Sequence, residues 1–135
     1  YENGRGVLKD DKQATKWFRK AADQGLADAQ HNLGFMYENG RGVLKDDKQA
    51  VKWYQKAADQ GDADAQYNLG VMYEFGESIE QSYVVAYENY IFAARKGNLE
   101  SQIKVAEMYK KGIGVDQDLE KSAYWLKKIE DSKAK

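Results

Sequence analysis

Few side chains in this sequence are of the types that carry out catalysis or bind metals. His31 is the only histidine among 135 residues, and there is no cysteine. A zinc site draws together three or four such ligands, so a single histidine cannot form one. Without cysteine there are no disulfides, thiolate ligands or thiol nucleophiles. We therefore predict no catalytic residue, no metal and no cofactor.

The remaining polar motifs have structural explanations. The paired acids Asp46 and Asp47 precede a predicted helix, where a carboxylate accepts from free amides and meets a favourable dipole. The segment NGRGV is rich in glycine, but it lacks the Lys-Ser/Thr ending and the preceding strand of a phosphate-binding loop. These motifs therefore indicate helix starts and turns, and we predict that the protein is not an enzyme.

Charge and hydropathy exclude two classes of partner. The chain has 21 basic and 22 acidic residues, with both halves balanced, which predicts no nucleic-acid partner. No apolar run approaches the ~18 residues that span a bilayer, so we expect no direct membrane insertion. The start at Tyr1, within a repeat, indicates a piece excised from a longer array.

An internal repeat of 36 residues organises the chain. Residues 1–36 and 37–72 are identical at 30 of 36 positions, and two more divergent copies follow. A fixed period in this range is typical of stacked repeats that bury their apolar faces against neighbours. We predict one repeat domain with four copies, numbered in chain order. They are a partial repeat at 1–25, repeats at 26–61 and 62–97, and a terminal repeat at 98–135 with a C-terminal cap and the polar tail SKAK.

Each period predicts two helices separated by glycine. Apolar residues at i, i+4, i+7 and i+8 predict a first helix, helix A, from Asp62 to Phe75. Asp46, three residues before Gln49, resembles the capping box that starts a second helix, helix B, and Asp10 with Gln13 repeats it. Ser82 and Asp118 keep only the capping residue of this pattern. We expect about seven helices. Glycines at the end of helix A are predicted left-handed caps: Gly40, Gly76 and Gly112.

Small residues and tryptophans indicate how the helices pack. Gly34 and Gly70 lie inside helix A, where glycine costs about 1 kcal/mol relative to alanine. We expect a compensating close approach of helix B, with Trp53 and Ala57 facing the glycine. Because tryptophan at repeat spacing is typical of a core, three such residues are predicted to be buried: Trp17, Trp53 and Trp125.

The third copy departs from the pattern. Asn89 stands at the tryptophan position, and we predict that Tyr90 and Phe92 replace the missing indole. The loop around Glu77 is expected to take a different course from the loop around Arg41. Residues 77–92 are either a repacked joint or a second recognition surface.

The residues of the second copy resemble the Sel1-like repeat, a relative of the tetratricopeptide repeat. The resemblance implies an all-α, right-handed α-solenoid of antiparallel helix pairs. It also implies that the protein is bacterial and acts as an adaptor for proteins or peptides. A periplasmic or secreted location is favoured over a cytoplasmic one. The matching residues are Ala29, Leu33, Gly34, Tyr37, Gly40, Gly42, Val43, Asp46, Ala50, Trp53, Lys56, Ala57, Ala58 and Gly61.

Differences between the copies indicate where a partner could bind. Two of the six variable positions, His31/Tyr67 and Phe35/Val71, share one face of helix A. In tetratricopeptide-like arrays that face lines the concave groove, which here would suit a protein or peptide with apolar anchors and basic flanks. The predicted partner-binding residues are Asp28, His31, Phe35, Glu38, Asp64, Tyr67, Val71, Glu74, Glu100, Ile103 and Glu107.

Three alternatives stay open. The variable face is equally consistent with a solvated surface whose sequence drifted after duplication. The whole chain is also consistent with a passive spacer in a longer array. Cysteine-rich members of the family have been linked to β-lactam binding or hydrolysis, although each of their repeats carries a disulfide and this chain has no cysteine. Separately, we expect Trp17 and Phe18 to be partly uncovered, allowing self-association through the N-terminal end.

Overall fold

The structure is all-α. A computed structural model describes residues 4–76 and 78–133, with side chains from Asp10 onward, and no strand occurs among them. No helix in these residues is both long and apolar enough to cross a bilayer. The chain divides into two compact units, one up to Ala65 and one from Gln66. The described helices are α1 (Gly4–Asp23), α2 (Ala27–Asn39), α3 (Asp47–Asp59), α4 (Ala63–Phe75), α5 (Tyr83–Arg95), α6 (Leu99–Lys111) and α7 (Leu119–Lys133).

In the first unit, α2 and α3 form an antiparallel pair. The ring of Tyr54, late in α3, lies against Gly34 in the middle of α2. The amide of Asp46, just before α3, donates to the carbonyl oxygen of Tyr37 near the end of α2 at 2.9 Å. Later residues of one helix therefore meet earlier residues of the other, as the resemblance to the Sel1-like repeat implies.

A backbone hydrogen bond closes the loop between helix A and helix B in three repeats. The amide of the residue that caps helix B donates to the carbonyl oxygen of a tyrosine in helix A at 2.8–2.9 Å. The side chain of each capping residue also accepts from the amide three residues later, which confirms the predicted caps. The donor and acceptor pairs are Asp46 to Tyr37, Ser82 to Tyr73 and Asp118 to Tyr109.

The predicted cap at Asp10 is wrong. The helix α1 begins at Gly4 and continues through Asp10 without interruption. Lysine, glutamine and alanine are frequent in this stretch and favour helix. The described residues also contain no preceding helix to which a loop at this point could be tied.

Glycines with positive φ shape the loop of the second copy. Gly40 adopts the left-handed conformation at the end of α2, with φ of 66°. Gly42 also has a positive φ, 76°, and its α-carbon lies so close to the carbonyl oxygen of Asp11 that a side chain would collide with it. Ser78 stands at the position equivalent to Gly42, and the predicted difference between the loops of the second and third copies stays a prediction. Glu77 itself lies outside the described residues.

The prediction that all three tryptophans are core residues is correct for two of them. Trp53 and Trp125 are buried, and Trp53 packs with Ala22 of α1 and Leu33 of α2. Trp17 is 65% exposed, so its assignment to the core is wrong. The described part of the chain provides no helix that covers Trp17 in the way that α1 covers Trp53. The separate expectation of an uncovered Trp17 is confirmed.

Candidate partner-binding site

The glycines inside helix A accept a tyrosine, not the predicted tryptophan. A Cβ added to Gly34 would lie 2.7 Å from Cδ1 of Tyr54, and one added to Gly70 would lie 2.5 Å from Cε1 of Tyr90. Carbon atoms in ordinary contact are about 3.5–4.0 Å apart. The missing methyl group therefore makes room for a flat ring, and Trp53 packs elsewhere, in the core with α1.

Each of these tyrosines is also hydrogen-bonded. The hydroxyl of Tyr54 donates to Oε1 of Glu38 at 2.7 Å, and that of Tyr90 to Oε1 of Glu74 at 2.6 Å. Burial, and then the bond to Glu74, raise the pKa of Tyr90 well above its ordinary value. We call the arrangement of glycine, glutamate and tyrosine the tyrosine lock.

The fourth copy lacks all three parts of the tyrosine lock. Ala106 stands at the glycine position, Lys110 at the glutamate position and Leu126 at the tyrosine position. Leu126 is exposed, unlike the two tyrosines. The three positions change together, which is expected if they depend on one another. The shared spacing of Glu38/Glu74 and Tyr54/Tyr90 was visible in the sequence but was not recognised there.

The tyrosine lock predicts a specific alkaline destabilisation. An unfolded tyrosine ionises near pH 10, whereas folded Tyr90 keeps its proton because its pKa is raised. Stability is therefore lost as pH rises above about 10, by up to ~1.4 kcal/mol per pH unit for this group. Tyr90→Phe is expected to reduce that slope in urea unfolding at a series of pH values. Tyr83→Phe, which changes an exposed tyrosine, is the control, and equal slopes in both variants would contradict the prediction.

In the first unit, the predicted binding residues divide into exposed and packed ones. Phe35 and Asp28 of α2 are exposed, as is Asp64 at the start of α4. His31 is half-buried with its ring centroid 5.6 Å from that of Tyr54. Glu38, also half-buried, belongs to the tyrosine lock. Phe35 is thus the apolar side chain that α2 offers to a partner.

In the second unit, the predicted residues on α4 are mostly packed. Tyr67 and Val71 are half-buried against the core of this unit, and the Tyr67 ring centroid lies 5.8 Å from that of Tyr90. Glu74 accepts from Tyr90 and pairs with Lys104 of α6, whose Nζ lies 3.1 Å from its Oε1. The ion pair links α4 to α6.

The exposed apolar side chains of this surface come from α4 and α6. Ile103, a predicted binding residue, is 51% exposed, and Phe75 is 62% exposed. Nζ of Lys104 lies 5.5 Å from the centroid of the Phe75 ring, a cation–π distance. Glu100 and Glu107 are also exposed, and Glu107 pairs with Lys111 at 3.9 Å. We call Phe75, Ile103 and Lys104, with these carboxylates, the α4–α6 surface.

Phe75 and Lys104 were missed in the sequence. Phe75 stands where the second copy has Asn39, and Lys104 where it has Asn32. The first substitution introduces a large apolar side chain and the second a cation, and both could have been found by comparing the third and fourth copies with the second.

Among the side chains described, no group of three histidine, aspartate or glutamate residues is placed to hold a metal ion.

Comparison with known proteins gives a consistent family. The model of the Sel1 repeat matches residues 1–26, 27–62, 63–98 and 99–131. Among curated proteins no match is found. A protective antigen of uropathogenic Escherichia coli that displays an SLR fold is 41% identical, with a TM-score of 0.85 over 90% of this chain and 26% of the antigen.

Two further solved structures are similar. A Sel1 repeat protein from Oxalobacter formigenes is 39% identical, with a TM-score of 0.78 over 90% of this chain and 50% of that protein. Cysteine-rich protein B of Helicobacter pylori is 18% identical, with a TM-score of 0.71 over 91% of this chain and 88% of its own, and shares the fold. The chain thus spans about a quarter of the first protein and half of the second.

These comparisons establish the all-α solenoid of helix pairs as the fold class. Sel1 repeat proteins are generally scaffolds for protein interaction and are mostly non-catalytic. With four matched repeats that cover residues 1–131, the chain belongs to the Sel1 repeat family.

Proposed function

We propose that the protein is a non-catalytic adaptor that binds a segment of another protein through the exposed face of helix A. The observation that carries the proposal is the α4–α6 surface, where exposed Phe75 lies beside Lys104, the ion-pair partner of Glu74, and Ile103 is exposed one residue earlier on α6. Binding energy in such interfaces is concentrated in a few large side chains, surrounded by polar groups that orient the partner.

The chemistry of this surface favours a segment with an apolar anchor and a basic flank. Phe75 and Ile103 supply apolar area, and Glu100 leaves an exposed carboxylate one turn from Ile103. Lys104 is occupied by Glu74 and by the Phe75 ring, so it holds the surface in place. A helical or extended peptide could bind there without a large rearrangement.

The first unit offers a smaller surface of the same kind. Phe35 of α2 is exposed, and Asp28 adds a carboxylate two turns earlier on the same helix. The helix α2 contains no lysine or arginine. We propose that Phe35 is a second apolar contact for the partner. Glu38 has a structural role instead, because the tyrosine lock joins it to α3.

The proposal predicts a defined loss of affinity. Peptides selected from a random library on the purified protein should bind the Phe75→Ala/Ile103→Ala variant at least about tenfold more weakly, because two central apolar contacts are lost. Calorimetry would measure the dissociation constants. Tyr124→Ala, an exposed aromatic on α7, is the matched control and should bind normally. Equal affinity of both variants would contradict the proposed surface, and a library that yields no binder would favour a passive spacer.

A further inference from the structure

In the first unit, lysine and arginine side chains are concentrated on α1 and α3 and are absent from α2. Seven exposed cations lie among the described side chains of α1 and α3, four on α1 and three on α3. On α1 they follow the spacing i, i+4, i+7 and i+8, and on α3 the spacing i, i+4 and i+8, so each set lies on one side of its helix. The helix α2, in contrast, carries carboxylates and no lysine or arginine. We call the seven residues the basic face: Lys12, Lys16, Arg19, Lys20, Lys48, Lys52 and Lys56.

Three cations of the basic face converge on one indole ring. Cζ of Arg19 lies 5.8 Å from the centroid of Trp53, and the Nζ atoms of Lys52 and Lys56 lie 5.7 Å and 5.6 Å from it. The guanidinium of Arg19 also donates to the hydroxyl of Tyr37. Like charges at such short range repel one another, and the negative face of the ring offsets only part of that cost.

The cations of the basic face outnumber the two carboxylates on the same sides of these helices, Asp23 and Asp59, and form no ion pair with them in the described residues. Among the described side chains, the ion pairs involve other cations, Arg41, Lys45, Lys104 and Lys111. The indole N–H of Trp53 is buried and has no acceptor in the described structure, so the cluster contains an unused donor beside its three cations. The balanced net charge of the whole chain therefore hides a face that is rich in positive charge.

We propose that the basic face binds an acidic helical segment of a second partner protein. Successive residues at i and i+4 on a helix are about 6 Å apart along its axis. Carboxylates at i, i+4 and i+8 of a partner helix therefore match the spacing of Lys48, Lys52 and Lys56. The chain then holds two partners at once, one on the helix A face and an acidic one on helices α1 and α3.

Other polyanions fit this face less well. Helices that lie on a membrane insert apolar side chains, but the ring at the centre of the basic face, Trp53, is only 5% exposed. The same burial removes the stacking platform that single-stranded nucleic acid uses. Trp17 is exposed at the border of the basic face, where Nζ of Lys20 lies 5.4 Å from its ring centroid, so the vesicle and oligothymidylate arms of the test below distinguish these polyanions.

The test uses a polyglutamate peptide as the acidic probe and the full chain as the receptor. Its dissociation constant should rise about tenfold in Lys52→Gln/Lys56→Gln, because two charges beside Trp53 are lost. Lys110→Gln/Lys127→Gln removes the same charge from exposed positions in the second unit and should change it less than about twofold. Polylysine should not bind.

A second readout reports on Trp53 itself. In the Trp17→Phe/Trp125→Phe background, the emission of Trp53 should shift when polyglutamate is added and should stay constant with polylysine. The proposal is overturned if both glutamine variants lose affinity equally. It is also overturned if the Trp53 emission does not respond, or if phosphatidylserine vesicles or oligothymidylate depend on Lys52 and Lys56 while polyglutamate does not bind. None of these outcomes involves Phe75 or Ile103, so the proposed helix A surface stands or falls separately.

Discussion

Tyr90→Ala is expected to lower the free energy of unfolding by about 3–5 kcal/mol, the range for removing a large buried aromatic side chain. Tyr90 is 0% exposed, its ring fills the space over Gly70, and its hydroxyl is bonded to Glu74. The variant therefore leaves a cavity and also removes a hydrogen bond from a half-buried carboxylate. Urea unfolding followed by circular dichroism would measure the change.

The matched control is Phe92→Ala, two residues further along α5. Phe92 is 53% exposed, so its removal should cost less than about 0.5 kcal/mol. Phe92 was predicted to replace the missing indole of the third copy, but it does not enter the core. The comparison of the two variants therefore also tests whether Phe92 contributes to stability. Similar losses in the two variants would contradict the tyrosine lock.

Gly70→Ala is expected to destabilise the protein although alanine is the better helix former. Helix propensity alone would stabilise the variant by about 1 kcal/mol. The added methyl group would lie 2.5 Å from the ring of Tyr90, and overpacking of a buried site costs about 1–3 kcal/mol. We expect a net loss of about 1 kcal/mol in thermal or urea unfolding.

A double variant distinguishes overpacking from other causes. Gly70→Ala/Tyr90→Leu reproduces the pair that the fourth copy has in Ala106 and Leu126. The two substitutions should cost less together than the sum of their separate effects, since the methyl group occupies space that the shorter side chain vacates. Strict additivity, or a Gly70→Ala variant more stable than the parent, would show that the close approach is not limiting.

The helices were largely predictable because their signals are local. Apolar spacing and glycine stops placed helix A, and the capping residues Asp46, Ser82 and Asp118 placed the starts of three B helices. The failure at Asp10 has a physical cause. A capping residue acts only where the chain already turns, and in the other repeats a bond to the preceding helix A holds that turn. The described residues contain no helix before Asp10 to make such a bond.

The candidate site was predictable only in part because it depends on which side chains meet. The variable positions on helix A did mark exposed Phe35 and Ile103. The same face also contains Glu38 and Glu74, whose carboxylates bind buried tyrosines of helix B. A single sequence shows the spacing of these residues but not the contact between them. The charge separation on α1 and α3 was likewise hidden by totals that cancel.

The backbone bond that closes each loop has a consequence for how such repeats diversify. It joins the amide of the residue before helix B to a carbonyl oxygen in helix A, so it uses no side-chain atom and survives where Asp46 is replaced by Ser82. Both ends of the loop are therefore fixed independently of the residues between them. Copies that begin identical can accumulate substitutions or insertions in this segment while their helices keep the same register, which makes the loop a natural place for new specificity to evolve and for foreign sequences to be grafted.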